Sequence, residues 1–138
     1  MRTIKYRGKD VKTGEWKYGH LITLNVNDKT AYFIITDDYA VVDKELKPWE
    51  IAFFLNVDIF MVEPNTVGQF TGLLDKNGKE IYEDDIVKYN GSDWWYKVVF
   101  WNVGFKLNRP DGYFFTIERD DVFEVICNIH DNSELLRR

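Results

Sequence analysis

The sequence predicts a mainly β fold: a small barrel-like C-terminal half with an N-terminal β-region packed on it, and one or two short helices. Three observations point there. Short runs rich in Val, Ile, Tyr, Phe and Trp recur at roughly 8–12 residue spacing, the rhythm of a β-barrel or sandwich. Polar turn clusters separate these runs. The strongest is Asp75-Lys76-Asn77-Gly78, where Asn-Gly tolerates the positive φ that a tight hairpin needs. Aromatic residues make up 17% of the 138-residue chain, enough bulky side chains to fill a core without staples.

Taken in order, the elements follow from local pattern. Ile4 and Tyr6, then Trp16 and Tyr18, are spaced by two as strands require, with Thr13-Gly14 as the turn between them. Leu21, Ile22 and Leu24 continue the second run, Asn27-Asp28-Lys29 turns it, and Ala31 to Ile35 supplies strong β-formers. Residues 39–42 resume after Asp37-Asp38. A helix is expected over residues 47–56, with Pro48 in its first turn where a missing N–H costs nothing. The apolar density there, from Trp49 to Leu55, keeps a strand open as the alternative. A strand over 57–63 ends at Pro64-Asn65. Two runs then flank the Asn77-Gly78 hairpin. Strands follow at 86–89, 94–101, 105–108, 113–117 and 122–126, with turns at Asn90-Gly91, Asn102-Val103-Gly104 and Pro110-Asp111-Gly112. One helical turn is expected at 133–136.

Composition narrows the function classes. The single cysteine, Cys127, excludes an internal disulfide framework, fits a reducing cytoplasm, and sits in the apolar run Val125-Ile126-Cys127 as a core residue would. A net charge of −5 weighs against a general phosphate-binding surface. The basic N-terminal residues Arg2, Lys5, Arg7, Lys9 and Lys12 read as a solvated charged edge that discourages strand-to-strand aggregation. No apolar leader follows Met1-Arg2-Thr3, and no run has the length of a membrane span, so a cytoplasmic protein without membrane contact is expected.

Three blocks resemble the YopX family of phage and prophage proteins. They are Ile4-Lys5-Tyr6-Arg7-Gly8-Lys9 with Thr13-Gly14-Glu15-Trp16-Lys17-Tyr18-Gly19; Thr66 to Leu73 followed by Asp75 to Glu83 and Asp85-Ile86-Val87; and Glu124-Val125-Ile126 with Asn128-Ile129, Asn132 and Glu134-Leu135-Leu136. The resemblance implies one mostly β domain over 1–138, with sub-regions 1–63 and 64–138, acting in the bacterial host cytoplasm. It implies no catalytic or binding residues. Two positions depart from the family pattern: Asp84 and Cys127 stand where glycine is usual. Asp enters the left-handed region at modest cost, so the turn at Asp84 is expected to survive.

The chemistry-bearing residues are few. Glu80, Glu83, Asp84 and Asp85 form an acidic cluster whose spacing matches no Ca²⁺ loop, and acids before a strand commonly cap backbone N–H groups. His20 and His130, the only histidines, have no second ligand at metal spacing. No phosphate-cradling Gly-Lys-Ser/Thr loop, nucleophile elbow or Cys-x-x-Cys occurs, so no enzyme, cofactor or metal is expected. The remaining feature is aromatic. On a strand over 94–101, alternation puts Trp95, Lys97, Val99 and Trp101 on the face opposite Trp94, Tyr96, Val98 and Phe100. One face enters the core. The other is covered by a second layer or is open, and Trp95, Lys97 and Trp101 are then the binding candidates. The leading expectation is a non-enzymatic module that binds a protein, a second copy included. The alternative is a small β-barrel that stacks nucleic-acid bases on the same three residues.

Overall fold

A computed structural model describes residues 4–36, 47, 58–89, 92–117 and 123–131, the side chain of Phe115 apart. The helix expected over 47–56, the strand over 39–42 and the helical turn at 133–136 lie outside these residues, Lys47 excepted. The described chain is mainly β and antiparallel. It divides into two compact units, Lys5–Val67 and Gly68–Arg138 with Met1–Ile4.

In the first unit β1 (Tyr6–Lys9), β2 (Trp16–Val26), β3 (Lys29–Thr36) and β4 (Ile59–Val62) lie side by side in the order β4-β3-β2-β1. Gly14, at φ 74, turns the chain between β1 and β2. Asn27 and Asp28 both have positive φ (51 and 64), which gives the two-residue turn whose twist matches the flanking strands β2 and β3. Ile34 and Val62 are fully buried. Val62 lies against Gly8, where a Cβ would meet its Cβ and Cγ2 at 2.8 Å. A single 3-10 turn, Pro64–Thr66, closes the unit. The Thr66 hydroxyl accepts the Lys9 N–H at 2.9 Å and donates to the Glu63 carbonyl at 2.6 Å, which ties this turn to β1.

Of the basic N-terminal residues, Lys12 is exposed as a solvated edge requires, but Arg7 and Lys9 are not. Arg7 is only 5% exposed, and its guanidinium lies 4.5 Å from the centroid of the Trp16 ring, with the Lys9 ammonium at 5.5 Å. The cations serve as packing partners for one aromatic ring.

In the second unit β5 (Gly68–Leu74) and β6 (Glu80–Tyr82) flank the predicted turn. Only Gly78 adopts positive φ there (82), so Gly78 rather than the Asn-Gly pair carries the reversal. Next come β7 (Asp85–Tyr89), β8 (Trp95–Trp101), β9 (Gly104–Asn108), β10 (Phe114–Thr116) and β11 (Phe123–Asn128). They form a five-stranded sheet in the order β10-β9-β8-β7-β11. The sheet keeps two edges and does not close into a ring.

Ile81, Val87, Tyr96, Val98, Leu107 and Phe123 bury together on one face, and Leu73, Phe105, Ile117 and Val125 pack against them. The alternation in β8 is the predicted one, with Tyr96 and Val98 inward. Each fully buried side chain of this size contributes about 1.5–3 kcal/mol of transfer free energy. Between Val125 and Cys127 the pairing of β11 with β7 shifts register, so Cys127 sits at a bulge, a location that suits the glycine usual in the family.

Candidate functional site

The acidic cluster is taken up by local structure. Glu80 accepts the Tyr82 hydroxyl at 3.0 Å, and Glu83 accepts the Gln69 N–H at 3.4 Å. Asp85 is 1% exposed and accepts the Tyr82 N–H at 2.7 Å. Asp84 sits at φ 74, as its substitution for glycine requires, and its Oδ2 is 3.1 Å from His130 Nε2. Among the described residues no group of three or more His, Cys, Asp or Glu side chains is arranged to hold a metal.

Asp84 lends itself to a direct check. Asp84→Gly relieves the left-handed backbone by about 1 kcal/mol and loses a His130 contact worth about as much, so its stability is expected to stay within about 1 kcal/mol of the parent. Asp84→Ala loses the contact and keeps the strain. Urea denaturation of the two variants measures this directly, and an equal loss in both would refute the account.

The three aromatic and basic candidates divide between two places. Trp101 belongs to an exposed patch at the tip of β8 and β9. It is 61% exposed and its ring centroid is 6.0 Å from that of Phe114 on β10, itself 48% exposed. On the opposite face of β8, Phe100 is also exposed and makes edge-to-face contact with Phe105 at 5.1 Å. Between β8 and β9 the two-residue turn is Asn102-Val103, at φ 52 and 61, and Val103 is 94% exposed.

Trp95 and Lys97 instead line a cavity of about 260 Å³ with Asn108, Arg109, Gly112 and Ile129. Register explains the grouping. Lys97 of β8 lies opposite Asn108 of β9, and the turn that leaves β9 runs through Arg109 to Gly112. Asn108 Oδ1 is buried and has no hydrogen-bond partner among the described residues. Arg109 is fixed on three sides. Its Nε and Nη2 donate to the two carboxylate oxygens of Asp111 at 2.8 and 2.6 Å, and its guanidinium lies 4.4 Å from the Trp94 ring centroid and 4.9 Å from that of Tyr113. These hydrogen bonds from Arg109 to Asp111 hold the Arg109 pKa above its ordinary value and the Asp111 carboxyl below its own. Asn108 and Arg109 could not be found from sequence, because their only signal is the β8–β9 register.

The sequence matches the protein family described as YopX protein over residues 5–137. Among solved structures it is similar to protein EF1440 from Enterococcus faecalis, with 22% identity, a TM-score of 0.58 and 99% of each chain covered. That likeness is one of fold. None of the curated proteins matches. No helix among the described residues is long and apolar enough to cross a membrane.

Proposed function

This chain therefore belongs to the YopX family, and on that premise we propose that it is a non-enzymatic phage accessory protein that works in the host cytoplasm by binding protein, a second copy of itself first. The observation that carries this reading is Val103. A β-branched residue in the left-handed region is a backbone outlier that costs about 1–2 kcal/mol. This one is also 94% exposed, in the turn that follows the exposed Trp101, whose ring lies beside that of Phe114. Glycine would fit the turn better, so stability alone gives no reason for valine there. An apolar side chain held out at a cost is what a contact surface needs. Trp and Tyr dominate interface hot spots, and β10 is an edge strand of its sheet, where another chain can align. The commitment of each acidic side chain to a local partner supports a contact role over a hydrolytic one.

The test uses light scattering with size exclusion. The parent chain is expected to run as a multiple of 16.4 kDa, and Trp101→Ser to shift toward that mass. Val103→Gly is expected to weaken association as well, while raising the thermal midpoint by several degrees through relief of about 1 kcal/mol. A parent that stays monomeric at high concentration, with neither substitution altering capture of any partner from host extract, removes the reading.

A further inference from the structure

We propose that the outward face of β2, β3 and β4 in the first unit is a twofold contact between two copies of this chain. It uses none of the residues of the Trp101 patch and stands or falls independently of it.

Register assigns the two faces, because directly paired residues share one side of a sheet. Ile34 pairs with Leu21 and Phe60, and Val62 with Tyr32. Ile34 and Val62 are fully buried, so theirs is the core side. The other side carries Ile22, Phe33 and Met61 in one row and His20, Ile35 and Ile59 in the next. Leu24 opposite Ala31 continues it toward the turn, where Val26 lies opposite Lys29. This side is apolar and open: Val26 is 62% exposed, Ile59 58% and Leu24 50%.

The end of the β2–β3 hairpin is the most telling part. Every residue from Ile22 to Thr30 is exposed, so the unit's own core makes no demand on the pattern there. Alternation persists all the same. Thr23, Asn25 and Thr30 take one side, where the Thr30 hydroxyl donates to Asn25 Oδ1 at 2.6 Å, and Leu24, Val26 and Ala31 take the other. A ribbon wetted on both sides needs no apolar side for its own unit; one that has it is made to be covered there.

Area and composition select a second copy as the cover. The apolar side chains of this face expose on the order of 500 Å², high for the largest patch of a monomer, and with its rim the face approaches the roughly 800 Å² that each partner brings to a standard interface. Interfaces between identical chains are the more apolar class, and a foreign partner would be selected by charges that this face lacks. Lys29 is the one charged side chain among its paired positions. The relief also suits a mate of the same shape. Leu24 and Val26 project, and beside the small Ala31 they border a groove of about 520 Å³, room for the aliphatic side chains of the opposite copy. Strands running antiparallel across the contact keep the two Lys29 ammonium groups at opposite ends.

The experiment measures mass by light scattering with size exclusion for Trp101→Ser, for Leu24→Lys, for the two combined, and for Thr23→Lys, which places the same charge on the other side of the ribbon. Trp101→Ser is expected to run at twice 16.4 kDa, held by this face, and the combined variant at 16.4 kDa. Leu24→Lys should weaken the pairing at least about a hundredfold, because symmetry buries two unpaired ammonium groups, while Thr23→Lys pairs as the parent does. The thermal midpoint of Trp101→Ser should rise with protein concentration, and that of the combined variant should not. The proposal is overturned if Trp101→Ser alone runs at 16.4 kDa, a result that leaves the Trp101 contact standing. It is also overturned if Leu24→Lys and Thr23→Lys have equal effects on mass. A midpoint that Leu24→Lys lowers equally at every concentration, with mass unchanged, would overturn it too, since another part of the same chain would then be the cover. If Trp101→Ser keeps the parent's mass and Leu24→Lys alone gives 16.4 kDa, this face is the contact and the Trp101 patch is not.

Discussion

Gly19→Ala is expected to unfold the first unit. Gly19 lies inside β2, paired with Tyr6 of β1 on one side and Thr36 of β3 on the other, at φ 154. A Cβ built there falls far inside van der Waals contact distance of the Ile35 carbonyl oxygen, 2.8 Å from its carbon and 3.0 Å from Thr36 Cα. All of these atoms are backbone, so no side chain can rotate away. To make room, β3 must leave β2, and the Gly19-to-Val26 pairing with it. A cost above about 4 kcal/mol is expected, of the order of a small domain's whole stability. Gly14→Ala is the control. Its φ is 74, yet nothing lies within 4 Å of the built Cβ, so only the conformational penalty of about 1 kcal/mol applies. Urea unfolding followed by near-ultraviolet dichroism compares the two. If both variants lose the same stability, close strand approach is not what glycine provides at position 19.

Much of this architecture was legible because it is local. The reversals at Thr13-Gly14, Asn27-Asp28 and Pro110-Asp111-Gly112 are written in residues whose own conformational preferences set the turn. The alternation of Tyr96 and Val98 against Trp95 and Lys97 is equally local, since it needs only the two-residue repeat of a strand. What could not be read depends on which strand lies beside which. Strand spacing is the same for an open sheet and a closed one, so the barrel-like expectation had no means of placing the free edges at β10 and β11.

The same limit hid the cavity. Trp95 and Lys97 were visible as a pair, but Asn108 joins them only through the β8–β9 register. It also hid the split between Trp95 and Trp101, which one strand face presents together and the neighbouring β10 separates by giving Trp101 the ring of Phe114. Arg7 shows the reverse failure. Its composition spoke for solvent, and Trp16 beside it made burial the better place.

The second large effect is expected at Asp75, which no functional motif marks. Its Oδ1 accepts the N–H groups of Asn77 at 2.8 Å and Lys79 at 2.9 Å, and its Oδ2 accepts the N–H of Val125 at 3.0 Å, fifty positions away in sequence. The carboxylate thus shapes the β5–β6 turn and clamps β11 to it, with Lys76 N–H on the Phe123 carbonyl at 2.8 Å beside it. Asp75→Ala leaves those donors without an acceptor at a site only 5% exposed, and a loss of about 3–5 kcal/mol is expected. Asp75→Asn keeps one oxygen for the turn but turns an amide N–H toward Val125, for a loss of about 2–3 kcal/mol.

The pH dependence has a definite sign. Burial is the largest single influence and acts to raise the carboxyl pKa, but the Val125, Lys79 and Asn77 N–H bonds and the Lys79 charge together bring it below 3.8. A folded value under the unfolded one means the ionised form is favoured by folding. Its contribution is therefore complete above pH 3.8 and drains away as pH falls through the folded value. Other carboxylates titrate in the same range, so the quantity to follow is the gap between parent and Asp75→Asn in urea midpoint. That gap should be constant from pH 7 to 5 and should narrow in more acid solution, because protonation makes the parent resemble its amide. A gap that stays the same throughout would mean that Asp75 acts by shape alone, and that the charge on the clamp contributes nothing to holding β11.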